Sequence, residues 1–307
     1  MGAGHAHGAP ATGHAGGRHR WRLAVAFGLV AAYLVVELVV GLLAGSLALV
    51  SDAGHMAGDV VALGAALVAT RIATRPDTTG RRTYGSYRAE VFASGLTVLV
   101  MLAVAAYVVL EAIGRLRSAG AGPEVPSGAM LAVGVIGLVV NVVSMLLLHE
   151  GAAESLNVRG AYNEVVADAA GSVGVIVAGV LVAVTDEPVW DTVVAIVIGV
   201  YVAVRAVVLG RQVLAVLGQH VPEGLVLDDV VADLEAVPGV SGVHDLHVWT
   251  LTSGMNVATA HLVVAPGSAA QDVLLGAQTV LATQHRVDHA TLQTESAPTR
   301  QCHEVNW

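Results

Sequence analysis

Six long runs of apolar residues, set apart by short polar stretches, make up most of the first two thirds of the chain. They cover about Leu23–Ala44, Leu47–Thr70, Ala89–Ile113, Ser127–His149, Gly160–Val184 and Val189–Gly210. Runs near twenty residues match the length of a helix that crosses the hydrocarbon core of a bilayer. The first run is too long for a cleaved leader, and a second follows almost at once, so no leader is expected. After Arg211 the pattern becomes that of a soluble unit. "LVLDDVVADLEAV" has helical spacing and stops at Pro238-Gly239. "VSGVHDLHVWTLTSGMNVATAHLVVA" reads as two strands around Thr252-Ser253-Gly254, a hairpin signal. A second helix is predicted over about Ala269–Thr283. A last strand, Val287–Glu295, alternates apolar and polar positions. The predicted order is helix, strand, strand, helix, strand. The chain therefore divides into a histidine-containing tail over 1–20, a six-helix transmembrane domain over 21–211, an α/β domain over 212–296 and a flexible tail over 297–307.

Composition points the same way. Of the 307 residues 55% are hydrophobic and 13% charged, with a mean hydropathy of +0.71, so an integral membrane protein is the leading class. The net charge of -9 offers no basic face for nucleic acid. Cys302 is the single cysteine, which rules out an intrachain disulfide or a C-x-x-C site. All basic residues are arginine, a bias of composition rather than a functional signal. Their placement sets an orientation. Arg18, Arg20 and Arg22 precede the first run, and Arg71, Arg75, Arg81, Arg82 and Arg88 fall between the second and third. Arg159 precedes the fifth, and Arg205 and Arg211 close the sixth. The other side holds Arg115 and Arg117. By the positive-inside rule both termini are cytoplasmic.

The second run contains "SDAGHMAGD", which puts Asp52, His55 and Asp59 among small apolar residues. His55 and Asp59 are four apart and share one helical face. Ionisable groups inside a span are costly and by default mark an ion or proton path. The plainer alternative is a polar pair that bonds this helix to a neighbour. The fifth run repeats the device with Glu164 and Asp168, again four apart and again followed by small residues. Paired polar turns in corresponding membrane helices point to a midplane binding site. One imidazole and three carboxylates can surround a divalent cation, and zinc in tetrahedral geometry suits such a set. Gly54, Gly58, Ala167 and Gly171 would let the two helices approach closely.

With these residues in view, the chain resembles a cation diffusion facilitator of the bacterial zinc/cadmium/cobalt efflux type, over about Trp21 to Ser296. The resemblance rests on "GSLALVSDAGHMAGD", "RRTYGSYRAE", "HEGAAESLNVRGAYNEVVADAAGSVGVIVAG" and "HDLHVWTLTSGM". It implies a homodimer of six-helix protomers in the cell inner (plasma) membrane, each with a cytoplasmic ferredoxin-like α/β domain. It implies export of divalent metal in exchange for protons, through a site made of His55, Asp59, Glu164 and Asp168. Glu164 stands where zinc members most often carry histidine. That exchange makes the site harder and more negative, so cobalt, cadmium, iron and manganese join zinc as candidate cargo. Ligands must be deprotonated to bind, so arriving metal would expel protons. Metal is then substrate and possible regulator, not a resident cofactor, and no enzymatic activity is implied.

Weaker signals complete the reading. Glu37 and Asn141 lie inside spans and are expected to bond helix to helix. Asp52 is either a relay toward the outer mouth or structural. Arg88 and Glu90 read as an interfacial ion pair. The tail bearing His5, His7, His14 and His19 cannot bury a core and is expected to be disordered, serving as a loose metal trap or a spacer. Arg71–Arg75 carries no histidine or acid. In the α/β domain His244, His261 and Glu295 fall where the family often binds regulatory metal, with structural histidines as the alternative; Gln293 departs from the histidine of some relatives. His247, three from His244, would face the opposite side of a regular strand. Cys302 and His303 could add ligands. Two other classes remain open: an intramembrane metalloenzyme, for which no nucleophile motif exists, and a membrane metal sensor or scaffold that binds without transport.

Overall fold

A computed structural model describes residues 20–73, 84, 88–117, 126–154, 156–252 and 254–297. The histidines of the N-terminal tail, most of the loop after the second helix, and Cys302 with His303 lie outside the described residues, as does the side chain of Glu90. Six long helices are present: α1 (Arg20–Ala44), α2 (Leu47–Ala73), α3 (Ala89–Arg117), α4 (Ser127–Glu154), α5 (Leu156–Thr185) and α6 (Val189–Leu217). Several outrun their apolar stretches, α6 by a full two turns.

Among the described residues, five of the six helices are long and apolar enough to cross a membrane. The sixth expected span falls on α2, whose side chains beyond residue 61 lie outside the described residues.

The chain forms two compact units, one of residues 1–64 with 96–207, the other of 65–95 with 208–307. In the first, α4 lies along α5 and α1 along α4. Its burial is inverted relative to a water-soluble bundle. Leu43, Leu110, Leu146 and Val184 are exposed, while Glu37, Ser51, Asp52, His55, Asn141, Ser144, Asp168, Ser172 and Asp191 are buried. Exposed apolar area on this scale suits lipid. Tyr33, Leu47, Met56, Met130, Leu148 and Val175 fill the interior between the polar groups.

The turn into α2 is fixed at both ends of its local chemistry. Gly45 takes φ +64°, which only glycine adopts freely. Ser46 Oγ accepts from Leu49 N–H at 3.2 Å, an N-cap bond worth about 1 kcal/mol. From the start of α6, Asp191 accepts from Ser46 Oγ (2.6 Å), Leu47 N–H (2.7 Å) and Ala48 N–H (3.1 Å). A buried carboxylate at a helix N-terminus meets the positive end of the helix dipole. Arg115 of α3 reaches Asp191 Oδ2 at 3.4 Å and donates to Gly45 O at 3.0 Å. This knot sets the position and rotation of α2, and hence of the polar stripe on it.

The second unit holds α7 (Leu227–Glu235), β1 (Val240–Thr252), β2 (Met255–Val264), α8 (Ala270–His285) and β3 (His289–Glu295), in the expected order. The strands form one sheet in the order β1-β2-β3, with β1 and β2 antiparallel and β2 and β3 parallel. Val230 and Leu234 of α7 and Val273, Ala277 and Leu281 of α8 cover Val248, Ala258 and Leu262. β1 is not regular. Between the pairs His244–His261 and His247–Thr259, two residues of β1 (Asp245 and Leu246) face one of β2 (Ala260), and Asp245 takes φ +53°. This bulge brings His247 onto the same face as His244, contrary to the opposite face expected of a regular strand.

Candidate metal site

His55 and Asp59 sit one turn apart on α2, and Glu164 and Asp168 one turn apart on α5. The two helices do meet. The Asp52 carboxylate presses on Gly171 so closely that a Cβ there would collide with it. Gly54 and Gly58 serve a different contact from the one expected, since Val104 and Met101 of α3 lie against them.

His55 Nε2 lies 3.7 Å from Asp168 Oδ1 and 3.9 Å from Asp59 Oδ2. One ligand atom from each of His55, Asp59 and Asp168 falls within 4.8 Å of the others. Those separations approach the edge of a tetrahedron with bonds of ~2.0–2.2 Å, roughly 3.3–3.6 Å. Asp59 Oδ2 and Asp168 Oδ1 are buried without a hydrogen-bond partner. Orphaned buried oxygens of this kind call for a cation. A cleft of about 40 Å³, lined by Asp59, Glu164 and Asp168 with Phe27, Val30 and Leu148, leaves room for an ion or a water.

Glu164 lines the same cleft but stands outside the three-residue cluster. Both its oxygens accept from Arg205 Nη2 of α6, at 2.9 and 2.7 Å. Arg205 Nη1 lies 3.3 Å from His55 Nε2 and 3.9 Å from Asp59 Oδ2. By its place in the sequence Arg205 reads as a charge closing the sixth run. Instead α6 continues to Leu217 and Arg205 turns into the polar centre. Its signal in the sequence is a lone arginine inside "VAVRAVVLG", within a span where charge is expensive. Tyr201, one turn earlier on α6, meets the His55 ring edge-on at 5.4 Å. It carries no local signal at all.

The remaining intramembrane groups bond between helices. Asn141 Nδ2 of α4 donates to Ser172 Oγ of α5 at 3.3 Å. Tyr33 Oη donates to Glu37 Oε1 at 2.9 Å and lies 3.2 Å from Val133 O of α4, and Glu37 of α1 also faces the Asp52 carboxyl of α2. Asp52 is fully buried and faces Glu37 of α1.

A second cluster lies on the sheet. His261 pairs with His244 across β1 and β2, and their rings meet at 5.1 Å. Glu295 ends β3, with Oε1 3.0 Å from His261 Nδ1 and Oε2 3.4 Å from His244 Nε2. The three offer ligand atoms within 4.8 Å of one another. The bulge adds a residue that spacing along the strand does not single out: Asp245 Oδ2 lies 3.8 Å from His261 Nε2, and its Oδ1 3.0 Å from His247 Nε2. Gln293 Nε2 donates to Glu295 Oε1 at 2.8 Å, holding the carboxylate in place.

Two family descriptions match: the cation efflux transmembrane domain over residues 23–217, and the cation efflux protein cytoplasmic domain over residues 222–297. A metal cation efflux system protein, CzcD, of Cupriavidus metallidurans is 41% identical over 98% of this chain and 92% of its own length. A cadmium, cobalt and zinc/H(+)-K(+) antiporter of Bacillus velezensis is 32% identical over 92% of this chain and 91% of its own. The zinc transporter ZitB of Escherichia coli is 35% identical over 92% of this chain and 88% of its own. With both halves matched and each relative covered over most of its length, the chain belongs to the cation diffusion facilitator family.

Proposed function

We propose that this chain exports divalent metal from the cytoplasm, zinc first and then cobalt, cadmium, iron or manganese, in exchange for protons by alternating access. The observation that carries the reading is the group of His55, Asp59 and Asp168, buried between two membrane helices with two carboxylate oxygens lacking hydrogen-bond partners. Three further considerations support it. The donor set, one nitrogen and carboxylate oxygens, suits borderline and harder divalent ions. Metal binding requires deprotonated ligands, which links loading to proton release. Relatives named as a metal cation efflux system protein, a cadmium, cobalt and zinc antiporter and a zinc transporter match over most of their own length. In this reading Glu164 joins the other three as fourth ligand once it leaves Arg205. His244, His261 and Glu295 bind a regulatory metal in the cytoplasmic domain, through which two copies of the chain form a homodimer. The protein lies in the inner membrane with both termini in the cytoplasm.

The test is metal uptake by proteoliposomes across a panel of ions, with a pH gradient imposed and then collapsed. Flux that follows the gradient supports proton-coupled export. Binding without flux would leave a sensor or scaffold in its place.

A further inference from the structure

We propose that Arg205 is a tethered cation that holds the cargo's place in the metal-free site, and that metal loads by displacing its guanidinium from Glu164. The inference rests on the function proposed above and deepens it. Its first support is geometric. The guanidinium contacts three of the four candidate ligands at once: Glu164 through Nη2, and His55 and Asp59 through Nη1.

The second support is exclusion. An Nη1 hydrogen donated to His55 Nε2 uses the single lone pair of that nitrogen. Nε2 is also the imidazole atom that faces Asp168 and Asp59 and would bind the metal. One lone pair cannot serve both partners. Metal on His55 therefore requires Arg205 to withdraw, and its withdrawal frees both Glu164 oxygens. The swap turns the three-residue cluster into the four-ligand set.

The third support is charge. Three ionised carboxylates would leave the empty site at -3, a costly burden for a carrier that must re-orient in a low-dielectric medium. Arg205 brings the empty site to -2. The guanidinium is always protonated, so this partial compensation persists at every working pH. Arg205 thus lowers metal affinity, promotes release, and offsets part of the emptied site's charge on its return.

The experiment compares the full-length protein with Arg205→Gln and Arg205→Lys in lipid nanodiscs and proteoliposomes. Zinc binding is measured by calorimetry and zinc flux as separate kcat and KM. Removing a positive charge at this distance should tighten binding by roughly tenfold or more. Flux by Arg205→Gln should show a lower KM together with a lower kcat, because release and return slow. Lysine keeps the charge but cannot span Glu164 and His55 together, so Arg205→Lys should bind more tightly than wild type and less tightly than Arg205→Gln. If Arg205→Gln fails to fold, the lysine variant decides alone: affinity equal to or weaker than wild type overturns the proposal. Unchanged or weaker binding by folded Arg205→Gln also overturns it, since an arginine that merely positions Glu164 would strengthen the site. Wild type that binds no zinc would instead sink the functional reading.

Discussion

Asp168→Asn separates a ligand from a structural carboxylate. The amide keeps the shape of the side chain and removes its charge. A unit pair at 4 Å is worth about 4 kcal/mol at an effective dielectric near 20, and a dication doubles that. The remaining amide oxygen and the lower desolvation of a neutral group return part of it. A net loss of about 3–4 kcal/mol weakens metal binding a few hundred-fold. Folding should not suffer, because Asp168 Oδ1 has no hydrogen-bond partner to lose. The two effects can be read in one assay, thermal unfolding in nanodiscs with and without zinc. Metal at 100 times the wild-type Kd should stabilise wild type by about 2.7 kcal/mol and the variant by about 0.2 kcal/mol. Without metal the two should melt alike. A variant that keeps the zinc-induced shift, or that melts early without metal, would show that Asp168 holds helices together instead of cargo.

Asp191→Ala removes three hydrogen bonds at the start of α2 and leaves Arg115 partly unpaired; it should cost about 3 kcal/mol, seen as a lower melting temperature at every metal concentration. Gly171→Ala would drive a methyl into the Asp52 carboxylate; about 1–3 kcal/mol of overpacking should part α2 from α5 and reduce metal flux, whereas Gly128→Ala, open on all sides, should leave flux unchanged. Glu164→His should raise discrimination for zinc and cadmium over manganese in competition uptake, since imidazole is the softer ligand. Asn163→His, about 100° round the helix, should not, and equal selectivity in all three proteins would place residue 164 away from the cargo.

What the sequence by itself determined is what local periodicity carries. Apolar run length marked the helices, and four-residue spacing placed His55 with Asp59 and Glu164 with Asp168 on shared faces. Alternation and a Thr-Ser-Gly turn gave the αββαβ order of the second unit. These properties depend on neighbours within a few residues, so they survive without knowledge of packing.

The tertiary structure alone decided which faces meet. It brought Asp168 to His55 and left Glu164 bound to Arg205, a residue that in the sequence reads as a charge closing the sixth run. It seated Gly54 and Gly58 against α3 rather than α5, and tied α2 to Asp191, 144 residues from Leu47. In the sheet, one extra residue at Asp245 turned His247 to the face of His244, which strict alternation forbids. Helix rotation, the reach of a long side chain and a strand bulge all depend on contacts between segments far apart in the chain. Residue spacing within one segment carries no record of those contacts.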